Sequence, residues 1–150
     1  MRFSVSGCLV FYPGCLVDAW FSKMQKSVSL SSAEAEYFGA MMTGRELVFV
    51  RDLLVEIGII LDAASVIWSD SKSAVNMAFD PVAFKNTKHI LRDAEFLRDL
   101  VAREVLILKH LPGKIMLADL LTKAVARVTY VALMRLYDAY AEDGIACPPT

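Results

Sequence analysis

Three settings in this chain hold carboxylates able to do chemistry: Glu34 and Glu36 in SSAEAEYFGA (31–40), Asp70 in VIWSDSKSA, and Asp119 in LPGKIMLADLLTK. Carboxylates that converge from distant parts of a chain build a hard-oxygen site for divalent cations. Taken singly, each also has an ordinary structural job. Ser31-x-x-Glu34 is a capping box, in which the serine accepts the amide of the third helical residue and the glutamate reaches back to the cap. That arrangement contributes ~0.5–2 kcal/mol. Glu36 has no such duty, and Gly39 and Ala40 just after it let its helix approach a sheet closely, so Glu36 is the better functional candidate. Asp70 ends an apolar strand and precedes a helix. Sites in α/β sheets form at such carboxyl ends, and a helix N-cap is the competing role. Asp119 falls in the first turn of a helix after Pro112-Gly113, where it would also complement the helix dipole.

The elements that must position these acids can be drawn from pattern. Residues 3–11 and 15–21 are rich in Val, Phe, Leu and Cys and flank Tyr12-Pro13-Gly14, which predicts a β-hairpin. Closure around Pro13-Gly14 would set Cys8 opposite the region of Ala19 rather than Cys15, so no disulfide is expected. A polar loop over 22–27 and Val28-Ser29-Leu30 lead into a helix whose 3.6-residue pattern runs to about Ile57, with Gly58 ending it. A strand follows at 64–69, then a brief helix capped by Ser71 or Ser73 and stopped by Pro81. An amphipathic helix is expected between Lys85 and Ala102, with Ile90, Leu91, Ala94, Leu97 and Val101 on its apolar side. A strand at 105–109 and helices near 117–126 and 129–140 complete the series. Trp20 and Trp68 lie on strands and read as core. The order predicts an α/β fold with a mixed sheet.

Composition bounds the rest. A length of 150 residues suits one domain with its own core. A hydrophobic share of 56% and a mean hydropathy of +0.45 point to strands buried on both faces, or to surfaces that meet a partner. The longest uncharged stretch, 3–17, is too short for a membrane span and is broken by Pro13-Gly14. VSGC at 5–8 has the look of a lipoprotein cleavage site, but only residues 3–5 precede it as an apolar core, so a signal peptide is not expected. Cys8, Cys15 and Cys147 show no metal-ligand spacing, and their odd number fits a reducing compartment. A net charge of −1 excludes a strongly basic nucleic-acid binder while leaving room for a local basic patch.

The segments WFSKMQKSVSLSSAEAEYFGA, SDSKSAV, NTKHI and LPGKIMLADLLTKAV, in that order between Arg2 and Val125, resemble the ribonuclease H domain of copia-type LTR-retrotransposon Pol polyproteins. The resemblance implies a ribonuclease H-like mixed sheet flanked by helices. It also implies cleavage of the RNA strand of RNA–DNA hybrids during reverse transcription, with four acids holding two Mg²⁺ or Mn²⁺ ions. Glu36 matches the glutamate of the first helix, Asp70 the strand-end aspartate and Asp119 the late aspartate. The family's remaining aspartate lies in a DADWAG-like first strand ahead of the hairpin. This chain starts after that strand, and Asp18, on the second hairpin strand, does not replace it. The fold is therefore expected to lack its first strand, with unpaired edges, and the site to have lost most of its activity. Ser71 stands where the family usually has asparagine.

By the same resemblance Lys23, Gln25, Lys26 and Lys88, with Lys85 and Arg92, are candidates to contact phosphates or a 2′-hydroxyl. His89 and His110 are assigned structural hydrogen bonding. The expected organisation is a ribonuclease H-like domain over 1–126, a C-terminal helix over 127–141 packed on or beside it, and a frayed tail over 142–150. Expected partners are an RNA–DNA hybrid and the reverse transcriptase and integrase domains of the same polyprotein, with no membrane. The expected compartment is the cytoplasm, in a virus-like particle for an intact element, or the nucleus. The alternative is a catalytically dead remnant that binds nucleic acid or the polymerase domain.

Overall fold

The computed structural model describes residues 3–12, 19–26, 31–79 and 88–143. Pro13-Gly14, Cys15, Asp18, Lys85 and Cys147 lie outside the described residues, as does most of the expected tail.

Strand β1 (Val5–Val10) pairs antiparallel with β2 (Ala19–Met24), in a register from Val5↔Met24 to Val10↔Ala19. Cys8 therefore opposes Phe21, two residues beyond the expected partner, and β2 takes Ser22, Lys23 and Met24 out of the expected loop. A shift of two keeps every side chain on its own face, whereas a shift of one would have exchanged the faces. Ser6, Cys8, Val10 and Phe21 are buried, while Trp20 on the opposite face is 67% exposed. The expectation that Trp20 is core is thus corrected by the two-residue alternation of a strand. Trp68 is half-buried, with the Lys109 ammonium 5.7 Å from its ring centroid.

Helix α1 (Ser32–Glu56) starts where Ser31 Oγ accepts the Glu34 amide at 3.1 Å. It ends at Ile57, and Gly58 follows at φ +88°, a left-handed conformation that glycine adopts without Cβ strain. Strand β3 (Ser65–Ser69) runs parallel to β4 (Leu106–His110). A parallel pair requires a crossover, supplied by α2 (Lys72–Phe79) and α3 (Lys88–Ala102). Ser71 Oγ accepts the Ala74 amide at 3.2 Å and so caps α2.

After β4 the chain makes two short 3-10 helices, Gly113–Ile115 and Leu117–Leu121, in place of the α-helix expected over 117–126. One cause is local. The Leu121 carbonyl, which a continuing helix would use internally, accepts Ser22 Oγ at 2.7 Å. Helix α4 (Arg127–Asp143) then packs on these turns, burying Leu133, with Tyr137 and Tyr140 stacking 6.1 and 5.9 Å from Phe11.

Among the described residues the strands form two two-stranded sheets, antiparallel β1–β2 and parallel β3–β4. The architecture is mixed α/β, consistent with a ribonuclease H-like fold. The main core joins Tyr37 and Met41 of α1 to Ile67, Ala74, Leu97 and Leu106, and a smaller one joins Cys8, Val10 and Phe21. Between the sheets lies a cavity of about 520 Å³, lined by Gly7–Tyr12 of the β1 side, by α1 and by 60–68. No helix among the described residues is long and apolar enough to cross a membrane.

One contact fixes the turn that carries Asp119. A Cβ at Gly7 would lie 2.6 Å from Thr122 Cγ2 and 3.0 Å from the Ala118 carbonyl oxygen. Because backbone must then move, Gly7→Ala is expected to destabilise the fold by about 1–3 kcal/mol. Urea denaturation measures this, and an unchanged midpoint would show the contact to be loose.

Candidate functional site

Three separate elements deliver the three acids. Glu36 lies in the first turns of α1, which is drawn onto β1 at Gly39; a Cβ there would sit 3.4 Å from Ser6 Oγ. Asp70 follows the last residue of β3, and its Oδ2 lies 3.5 Å from where a Cβ of Gly113 would stand. Asp119 is in the first turn of the Leu117–Leu121 helix, and its Oδ1 accepts from Lys123 Nζ at 2.8 Å. All three line one cleft of about 430 Å³, together with Ser6, Gly39 and Lys123. Glu34, buried beside its cap, is not part of that lining.

The acids sense each other. Partial burial raises the Glu36 carboxyl above its ordinary value, the charges of Asp70 and Asp119 raise it further, and Lys123 opposes them. Lys123 is raised chiefly by its hydrogen bond to Asp119, with added attraction from Asp119, Asp70 and Glu36. Proximity stops short of coordination, however. Among the described residues no three His, Cys, Asp or Glu side chains are gathered into a set that could hold a metal ion as the structure stands.

Comparison with known proteins gives this cleft its context. The chain is 39% identical over 127 residues to the retrovirus-related Pol polyprotein from transposon RE2 of Arabidopsis thaliana, and 37% identical over 127 residues to that from transposon RE1 of the same plant. It is 35% identical over 126 residues to the corresponding polyprotein from transposon TNT 1-94 of Nicotiana tabacum. Its homologues are retrovirus-related Pol polyproteins. The matches cover 84–85% of this chain and 9% of each relative, so the chain spans a small segment of a Pol polyprotein's length. No family model matches, and no solved structure matches.

The other residues singled out in this Pol-related chain fall in different places. Gln25 is buried, and its amide nitrogen donates to Ser6 Oγ at 2.9 Å and to the Ala35 carbonyl at 2.8 Å. It braces the end of β2 against β1 and α1, and it lines the same cleft as the three carboxylates. Both amide protons are engaged, and the side chain faces inward because β2 extends through Met24. Lys23 and Lys26 are exposed, with Lys23 Nζ 5.3 Å from the Phe21 ring centroid, and neither lines the acidic cleft. Lys88 opens α3, and its side chain lies outside the described residues, as do those of His89 and Arg92. His110 is exposed at the end of β4, opposite Ser69. Lys123 is the functional candidate that sequence reasoning missed, although its place four residues after Asp119 is a recognisable ion-pair spacing.

The raised Glu36 value sets a pH dependence. An acid whose folded pKa exceeds its unfolded one destabilises the fold in its charged form. That cost is absent below the unfolded value, grows as pH rises through it, and is complete above the raised folded value. Glu36→Gln is therefore expected to match the parent's melting temperature in acid and to exceed it at neutral pH without metal. Melting curves against pH in EDTA test this; a variant less stable at neutral pH than in acid, relative to the parent, would contradict it.

Proposed function

We propose that this chain is the ribonuclease H segment of a retrotransposon Pol polyprotein, acting on the RNA strand of RNA–DNA hybrids during reverse transcription. The observation carrying this reading is the convergence of Glu36, Asp70 and Asp119, from three elements, on one cleft of a chain whose homologues are Pol polyproteins. Hard oxygen donors that repel one another suit Mg²⁺ or Mn²⁺, so the three carboxylates are the residues that would hold the ions. Bound ions would lower the pKa of water and neutralise charge on a phosphodiester. Asp70 is set against bare Gly113 backbone and Glu36 is seated through Gly39, and both line the same cleft. Lys23, Lys26 and Lys88 serve phosphate contact, reading backbone charge and minor-groove shape rather than sequence.

Reverse transcriptase and integrase domains are the partners, and a cytoplasmic virus-like particle is the compartment. The two unjoined sheets and the acids that stop short of a closed set favour a second reading for the chain alone: a non-catalytic module that binds hybrid without cutting it. Incubation of an end-labelled RNA–DNA hybrid with the 150-residue chain and Mg²⁺ decides between them. Mg²⁺-dependent cleavage, lost in Glu36→Gln and Asp70→Asn, supports the enzyme. A gel shift without cleavage supports the module, and the absence of both cleavage and shift sinks both readings.

A further inference from the structure

The acidic cleft has a charge problem that one side chain answers. Three carboxylates around a single cavity repel one another, and Lys123 is the cation that lines it with them. Its ammonium lies 2.8 Å from Asp119 Oδ1, and its charge acts on Asp70 and Glu36 as well. The backbone holds it there: the Lys123 amide donates to the Asp119 carbonyl at 2.9 Å, so cation and anion ride on the same turn. Asp119 is the inner partner, its side chain 20% exposed, whereas the Lys123 side chain is 56% exposed and has solvent to swing into.

We infer that Lys123 is the resident counter-cation of the metal-free cleft, and that a divalent ion must displace its ammonium from Asp119 in order to bind. The inference rests on the metal reading above and adds a competitor to it. It explains why the three acids gather without forming a closed ligand set: a single tethered charge relieves their repulsion and engages Asp119 Oδ1, an oxygen a cation would need. A compact ammonium on a flexible stem is suited to leave, unlike a guanidinium fixed by two parallel hydrogen bonds.

Mn²⁺ binding, followed by the loss of the free-ion electron paramagnetic resonance signal, tests this on the 150-residue chain. Lys123→Met and Lys123→Gln, which remove the charge and keep the stem, are expected to bind Mn²⁺ about two- to ten-fold more tightly. Both are expected to melt at lower temperature in EDTA and to recover when Mn²⁺ is added. Lys123→Arg, which keeps the charge, is expected to bind Mn²⁺ no more tightly than the parent. Mn²⁺ bound by the parent, but no more tightly by either neutral variant, overturns the competition and leaves the metal reading standing. Mn²⁺ bound by none of the proteins overturns both.

Discussion

Tyr37→Ala is expected to lower the unfolding free energy by about 3–5 kcal/mol, the cost of deleting a fully buried ring. Tyr37 is 0% exposed, sits in the core that joins α1 to α3, β3 and β4, and donates its hydroxyl to the Ala94 carbonyl at 3.3 Å. Small domains have only ~5–15 kcal/mol in total, so the variant should be largely unfolded in modest urea. Tyr37→Phe isolates the hydroxyl and is expected to cost only about 1 kcal/mol. The ring also sets the rotation of α1. Neighbouring residues on a helix point about 100° apart, so seating Tyr37 inward turns Glu36 toward the cleft. Urea titration of the two variants checks the ordering, and equal midpoints for Tyr37→Ala and the parent would remove Tyr37 from the core.

Asp70→Asn is expected to cut hybrid cleavage by at least ~100-fold, since even outer-shell partners of a metal site cost 10–100-fold when lost. The substitution is close to isosteric, and Asp70 Oδ2 faces the bare edge of Gly113, so no packing is lost. Removing one charge from a repelling trio leaves the melting temperature in EDTA unchanged or raised. That sign separates lost chemistry from lost fold: an Asp70→Asn protein that neither cleaves nor melts normally would count against Asp70 as a site residue. Cleavage of labelled hybrid at saturating Mg²⁺, beside a melting curve, gives both readings from one preparation.

Much of the scaffold could be read from local chemistry. Ser31 and Gly58 bound α1 because a hydroxyl acceptor and a residue tolerant of positive φ are what its ends require. The apolar run to Ser69, with Ser71 after it, places Asp70 at a strand-to-helix junction on sequence alone, and the structure has it there. Long-range choices were hidden. The extra span of β2 follows from where the hairpin pairs, which Pro13-Gly14 alone does not dictate, and it turned Gln25 from a loop residue into a buried brace. The 3-10 form of Leu117–Leu121 depends on Ser22, 99 residues away, taking the Leu121 carbonyl. The division into two sheets, and the nearness of Lys123 to acids on other elements, are likewise tertiary facts with no local signature.

Among the described residues no strand ladder joins the two sheets, which gives α1 a mechanical part. Leu47 packs against both apolar clusters, so the two halves share this one beam. Asp70 belongs to the β3–β4 half, while Asp119 is held to the β1–β2 half through Gly7 and Ser22. The gap between those two carboxylates therefore spans the two halves rather than lying within either. A change in the curvature of α1, which long helices commonly show, would alter the width of the acidic jaw without disturbing either sheet.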